Sequence, residues 1–494
     1  MTTQRVRLPD TIRLQRPALW RTDIAQLAVI PLLFTIVVIA EVLGLRAQQP
    51  LNWDETVYAS QISQHAPMLW GPERARGLPL LLAPVTLLTS SAPAMRAYMA
   101  ILAGIGLFLA ALAWRRIRPT WVIVLGTAMF AGLSLTQNGA ASILPHYWSA
   151  VGALAVVGLS LRMARFPSTR DAWLLLIAVA FTGLMRPTDV IFLTVPIAIV
   201  MAVVLKQRVR PILVAIGGGL VISLGEWLVE ANLYFGGPVK RLSRASGASG
   251  GTHLNLLNNL HVLDGGRITS LHGYAGSSGA WHYPYLLIWW AFFVALVVLG
   301  VRAAYSRDGR LLARLPVICA LSIYLLYSIP VRDNGRYLQP VLVLLMIPAA
   351  EGAGFLIRRW TGQRYGYAAM GAVAILVLAE FASQAPLIKA RFASTGPGLS
   401  AQSAVVRHLQ SAGVKPPCVI TSVPRPGFVQ KSEPAAYYLN CSYRWGVRKL
   451  RNLHGTLVVL TNGAARPWPY AAKWHKVSIP GQITAYIGPA PKQH

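Results

Sequence analysis

The sequence predicts an all-α polytopic membrane protein of about eleven transmembrane helices that carries a small C-terminal α/β domain. Three observations predict it. The 494 residues are 54% hydrophobic and only 13% charged, with a mean hydropathy of +0.49, which soluble domains rarely reach. Apolar runs of about 20 residues, enough to cross roughly 30 Å of hydrocarbon as a helix, recur along most of the chain. The last 110 residues, by contrast, have ordinary globular composition.

The predicted spans fall near 24–45, 96–114, 120–137, 146–161, 172–186, 188–205, 211–229, 283–301, 315–330, 336–357 and 366–384. The fifth and sixth are short and share the interruption "LMRPTDV" at 184–190. The first follows a basic start, 1–23, and is longer than the apolar core of a secretion signal, so it is expected to stay as an anchor.

A formal charge of +30 raises nucleic acid as a partner, but the distribution of that charge argues against it. The segments 1–23, 115–119, 162–171, 206–210, 302–314 and 358–364 hold 21 of the 46 basic residues, and all lie on one face if eleven spans alternate. By the excess of cations on cytoplasmic loops, that face is the cytoplasm. The N-terminus is then inside, and the loops 46–95 and 230–282 and the tail 385–494 are outside. Frequent Pro, Ala and Arg fit a high-GC bacterium, so the expected location is a bacterial cytoplasmic (inner) membrane.

The expected domains are a transmembrane region, 24–384, which would hold any active site, and an extracytoplasmic α/β domain, 385–494. The tail shows a helical pattern at "SAQSAVVRHLQSAG" and strand-like runs "CVITSV", "TLVVLT" and "ITAYIG". It holds 14 Lys and Arg against one acid, Glu433, which suits lipid phosphates or an anionic acceptor; a merely solvated basic surface is the alternative. Cys418 and Cys441 both lie in this tail and form a candidate disulfide on the oxidising side.

With only sixteen acids in the chain, adjacent ones call for a reason. Asp54 and Glu55, in "LNWDETVYAS", follow the first span by about ten residues and are flanked by Trp53 and Tyr58, residues suited to the membrane interface. Acids placed there cost solvation unless something uses them; an ordinary polar loop start is the bland alternative. Glu226 and Glu230, four apart near the outer end of the seventh span, share one helical face and repel unless a ligand, cation or proton intervenes. They are candidates for holding a polar ligand, or residues of the water boundary.

These stretches carry a resemblance. "WDETVYAS" in the first outer loop, "RGLPLLLAPVTLLTSSAPAMRAYMAILAGIGLFLAALAWRRI" through the second span, "EANLYFGGPV" at 230–239 and "NGRYLQPVLVLLMIPAAEG" at 334–352 together resemble the glycosyltransferase C superfamily. More narrowly, they are similar to protein O-mannosyltransferases and lipid A aminoarabinose transferases, over roughly 20–384. The resemblance implies a membrane glycosyltransferase that moves a sugar from a polyprenyl-phosphate donor to a hydroxyl or phosphate of an extracytoplasmic glycan, lipid or protein acceptor, with inversion.

On that expectation, Asp54 is the catalytic base and Glu55 orients the sugar or supports the loop, with Tyr58 beside them. Arg76, in "ERARGLPL", falls where the family has its phosphate-binding cation, and Arg336 where its "RYLLP" arginine lies. Arg186 is a third phosphate candidate and Tyr337 an accessory one; snorkelling to headgroups is the alternative for the three arginines. Relatives often carry an aspartate at the start of the fourth span, where this chain has His146, a possible hydrogen-bonding group near the acceptor or simply an interfacial histidine.

The Gly- and Ser-rich loop 236–282 is long enough to act as a lid. Its His253, His261, His272, His282 and Asp264 lack metal-ligand spacing. A divalent cation at Asp54 and Glu55 is the one cofactor to weigh, and none is expected, because a sugar phosphodiester carries a single charge that arginines can meet. Two other classes stay open: a lipid-linked glycan polymerase or ligase, and a transporter or flippase. No nucleotide-binding motif supports ATP-driven transport.

Overall fold

The computed structural model describes residues 24–47, 49–248, 251–256, 285–305, 310–329, 335–360, parts of 368–384, 402–423, 429–444, 455–462 and 465–489. The predicted span near 366–384 and the histidines at 261, 272 and 282 with Asp264 lie largely or wholly outside these residues.

The first apolar run is helix α1 (Ile24–Leu45), whose Leu32, Leu33, Ile36 and Val37 face outward as lipid-facing residues do. The loop that follows holds two short helices, α2 (Trp53–Ser60) and α3 (Gly77–Thr86). Next come α4 (Ala92–Trp114), α5 (Thr120–Gly132), α6 (Ser134–Ala141), α7 (His146–Arg165), α8 (Thr169–Met185) and α9 (Pro187–Leu205). The bundle continues with α10 (Arg210–Tyr234), α11 (Pro238–Ala248), α12 (Tyr285–Tyr305), α13 (Arg310–Tyr327) and α14 (Gln339–Trp360).

Among the described residues, five stretches are long and apolar enough to cross a bilayer: Ile24–Leu45, Ala92–Trp114, His146–Arg165, Pro187–Tyr234 and Gly335–Arg359. The fourth, at 48 residues, would be about 72 Å long as one helix, far more than one bilayer needs. It is broken by a 3-10 turn at Lys206–Val209, in the cationic "KQRVR" segment, into α9 and α10.

The third predicted span differs from expectation. It is a broken pair, α5 and α6, bent by 77° at Leu133. The segment after the bend, "SLTQNGAAS", is too polar to continue in lipid, and it wraps a buried cation: Arg46 donates to Asn138 and, at 3.4 Å, to Ser142 Oγ.

Helix α7 is the centre of the bundle and is buried on nearly every side, packing on α4, α8 and α14. Small residues permit such approach where no water drives helices together. The α12–α14 crossing makes the point: a Cβ on Gly352 would collide with the Leu296 carbonyl oxygen, and one on Gly300 with that of Pro348.

The tail begins with helix α15 (402–411) and builds a five-stranded mixed sheet. Strand β1 (Cys418–Ser422) lies parallel to β2 (Ser442–Tyr443) and β3 (Thr456–Asn462), and β5 (Ile483–Pro489) runs antiparallel to β3 and β4 (His475–Ile479). The order is β2-β1-β3-β5-β4, with helix α16 (Val429–Tyr438) against β1. A disulfide joins Cys418 to Cys441.

Candidate active site

The acidic pair divides at once. Asn52 caps α2: its Oδ1 accepts from the Glu55 amide at 3.0 Å, and Glu55 Oε2 accepts from the Asn52 amide at 2.9 Å. This reciprocal box is the device that starts a helix at N-x-x-E. The same Glu55 carboxylate takes Arg96 at 2.7 Å and the Ile143 amide at 3.3 Å, and it is 1% exposed. Glu55 therefore holds the loop to α4 and to the segment before α7. Of the two roles expected for it, this geometry is that of loop support.

Asp54, on the next face of the same turn, points the other way. Its two oxygens accept from Arg74 at 2.7 Å and Arg336 at 3.0 Å. Burial works to raise this carboxyl, but the Arg336 and Arg74 guanidiniums outweigh it and hold it well below the usual carboxylate range. Arg74 is nearly sealed, at 4% exposed, whereas Asp54 and Arg336 remain 20% and 18% open.

Arg336 stands at the start of the last long span, in the 3-10 turn Gly335–Leu338, and its neighbour Tyr337 builds the wall of the site. The Tyr337 ring stacks parallel on Tyr327 at 4.9 Å and lies against His146 at 4.9 Å. His146 Nε2 faces Arg186 Nη1 at 2.8 Å. A guanidinium can only donate, so that nitrogen accepts and the ring proton sits on Nδ1. Arg186 also reaches Asp189 at 3.2 Å, and buried Asp189 accepts from Ser149 Oγ at 2.6 Å and from the Tyr327 hydroxyl.

A second group adjoins the first. Arg76 donates to Glu230 at 2.5 Å and to Gln61 at 3.0 Å and lies 4.0 Å over the Trp70 ring. Glu230 also takes Arg241 at 2.6 Å. Arg241, fully buried, donates to the carbonyls of Pro72, Arg74 and Trp227 at 3.0, 2.8 and 2.9 Å and so fixes the turn that bears Arg74 and Arg76. Trp70 meets Tyr58 edge-on, and Tyr58 faces Arg74 at 4.8 Å, which makes the buried Tyr58 a partition between the two groups.

The structure thus brings Asp54, Arg336, Tyr337, Arg186 and His146 into one cluster and Arg76 with Glu230 into its neighbour. Glu226 sits one turn before Glu230, half-buried, with its Oε2 making no hydrogen bond among the described residues. Sequence reasoning missed Arg74, Asp189, Tyr327 and Arg241. Arg74 shares the "ERAR" turn with Arg76, so only the direction of each side chain separates them. The reciprocal spacing of Asn52 and Glu55 was a readable sign that the second acid serves the backbone.

A divalent cation does not suit this donor set. Both oxygens of Asp54 face guanidiniums and those of Glu55 face Arg96 and backbone amides, so each carboxylate is already matched by cations or amides and the two turn to different partners. Among the described residues no three His, Cys, Asp or Glu side chains group as metal ligands.

The polytopic helical bundle with its small α/β tail is a fold this chain shares with solved membrane proteins. The structure of ArnT from Cupriavidus metallidurans bound to undecaprenyl phosphate matches 94% of this chain and 99% of that one, with TM-score 0.62 at 14% identity. Its apo state matches 93% and 97%, with TM-score 0.63 at 14% identity. The oligosaccharyltransferase of Archaeoglobus fulgidus tethered to an acceptor peptide matches 86% of this chain and 64% of that one, with TM-score 0.51 at 12% identity. At such identities what is shared is the fold. No protein-family model and no curated protein sequence matches the chain.

Proposed function

We propose that this protein is a membrane glycosyltransferase that takes a sugar from a polyprenyl-phosphate donor and passes it, with inversion, to an acceptor hydroxyl or phosphate on the extracytoplasmic face. The observation that carries the reading is the ionic lock on Asp54: one carboxylate held between two arginines, one sealed and one partly open.

The chemistry needs two things from the protein. The departing lipid phosphate needs fixed cations, and Arg336, Arg186 and Arg76 keep 18%, 21% and 29% of their side chains open, while Asp189 and Glu230, the acidic partners of the last two, are buried. An acceptor hydroxyl needs a base. Asp54 as it stands is too acidic to be a good one, yet a phosphodiester competing for Arg336 draws that cation away and returns basicity to the carboxylate. Donor binding thereby readies the base. The acceptor oxygen then attacks the anomeric carbon, the bond from that carbon to the phosphate oxygen breaks with its electron pair leaving on the lipid phosphate, and the proton goes to Asp54. An acceptor that is itself an ionised phosphate needs no proton removed.

Support for the lipid donor comes from the fold shared with an ArnT that binds undecaprenyl phosphate. Support for the face comes from the asymmetry of the basic loops, which favours an N-terminus inside and the site and tail outside, and Pro-, Ala- and Arg-rich usage favours a bacterial cytoplasmic membrane. The test is transfer of radiolabel from a panel of polyprenyl-phosphate sugars by the purified protein, with Asp54→Asn beside it. The expected outcome is turnover by wild type with at least one donor. Asp54→Asn should lose on the order of a thousandfold in rate and still bind polyprenyl phosphate. Absence of turnover with every donor, in folded protein given glycan, lipid and peptide acceptors, sinks the reading.

A further inference from the structure

The C-terminal domain has one acid in its 110 residues, and that residue is hidden from solvent. Glu433, on α16, is 2% exposed because it is pressed into the loop that bears Asp54. Its carboxylate accepts from the Trp53 indole N–H and from the Leu69 amide at 3.2 Å. These contacts grip the loop at the first residue of α2 and again between α2 and α3. Three further ties lie beside them: the Leu51 amide donates to the Tyr438 hydroxyl at 2.7 Å, the Ala66 amide donates to Asn440 Oδ1 at 2.9 Å, and the His65 ring packs on Tyr437 at 4.6 Å.

We propose that Glu433 is a positioning residue of the transfer site, which makes the C-terminal domain a working part of the catalytic centre. The path is short. Glu433 fixes the Trp53 ring, Arg74 lies 5.3 Å over that ring, and Arg74 donates to Asp54 at 2.7 Å. A loosened indole frees the sealed arginine, and with it the direction of the carboxylate. Glu433 itself touches no reacting atom. The inference rests on the transferase reading for its kinetic consequences but not for its structural ones.

Protonation separates this role from mere packing. Burial pushes the Glu433 carboxyl up to about 7, against the Trp53 N–H, the Arg74 charge and the Leu69 amide, with Asp54 adding to the rise. The groups that face it are Arg74 and Asp54 on the loop and Tyr443 on β2, with His65 near by against Tyr437. The ionised form can accept both N–H groups; the protonated form turns one oxygen into a donor and loses an acceptor. A buried acid with a raised value binds its proton more tightly folded than unfolded, so stability contributed by this group declines as pH rises from the free-carboxylate value towards 7. Activity and stability therefore move in opposite directions across that window.

The experiment uses the full-length protein in nanodiscs, with Glu433→Gln, Glu433→Asp and the mild Tyr438→Phe. It measures kcat and KM for the donor against pH, melting temperature, and backbone hydrogen exchange of the segment 51–69. Expected for Glu433→Gln are a loss of at least tenfold in kcat with KM for the donor within about threefold, and a melting temperature no lower than wild type at pH 8. Its exchange should be faster at 51–69 alone, and it should lack the activity step near neutrality. Glu433→Asp should restore part of kcat, and Tyr438→Phe should quicken exchange at the same segment by less. Wild-type kcat with unchanged exchange in Glu433→Gln overturns the proposal, as does exchange raised along the whole chain with a lower melting temperature. Should wild type transfer from no donor, the transferase reading fails while exchange at 51–69 still decides whether Glu433 holds the loop.

Discussion

Arg336 and Arg74 hold the same carboxylate but are not equivalent. Arg74 also lies against the rings of Trp53 and Tyr58 and cannot turn, whereas Arg336 has room to exchange Asp54 for an anion. Arg336→Lys keeps the charge and loses the planar fork, and Arg336→Ala loses both. Affinity for polyprenyl phosphate should fall on the order of tenfold for the first and a hundredfold for the second, read by direct binding. An Arg336→Ala variant that binds as wild type does would remove the residue from the proposed phosphate site. The pH profile gives a second reading at this scale. Asp54 sits below the free-carboxylate range, so its ion pairs contribute fully above that range and fade only as pH falls through the depressed value. An activity step near pH 4 to 5 is not expected from it, which leaves a step near neutrality to Glu433.

The cap at α2 is where sequence and structure part most clearly. "LNWDE" attracts attention as an acidic pair, and the same five letters also spell a helix start in which the second acid answers the first asparagine. Both meanings are local; choosing between them takes Arg96 and the Ile143 amide, which only the folded bundle brings close. Removing one partner of a buried ion pair costs about 3–5 kcal/mol and losing a cap about 1 kcal/mol. Glu55→Gln should therefore lower the melting temperature well beyond Asn52→Ala, with affinity for polyprenyl phosphate kept in the molecules that remain folded. Loss of turnover at an unaltered melting temperature would instead return Glu55 to the sugar. Arg46 tells a similar story: the predicted span 120–137 runs through Leu133 unbroken, and the use of the polar run after it as a bend around a buried cation is invisible without the partner.

Across the molecule, hydropathy located the long helices within a few residues, as at 24–45 against α1 and 188–205 against α9, because a span must satisfy its backbone internally and so writes itself into contiguous sequence. The strands β1, β3 and β5 were legible for a related reason, as short apolar runs between turns, while β4, "HKVSI", is too exposed to show. Pairings between distant segments left no such mark. The close α12–α14 crossing is one of them, and Gly352→Ala tests it. The added methyl meets backbone that cannot swing aside, so the variant should melt several degrees lower in nanodiscs, as overpacking costs about 1–3 kcal/mol. Gly44→Ala, which adds its methyl to open space, is the control and should not.

Trp53 and Glu433 are 380 residues apart in the chain. At roughly 5–20 residues per second the ribosome makes the indole some 20 to 75 seconds before the carboxylate that fixes it. During that interval the helices can insert while the segment around Asp54 waits without its partner. If the protein is the transferase proposed, a half-made chain works with an unsteadied site: a segment synthesised late is the one that completes a loop synthesised early.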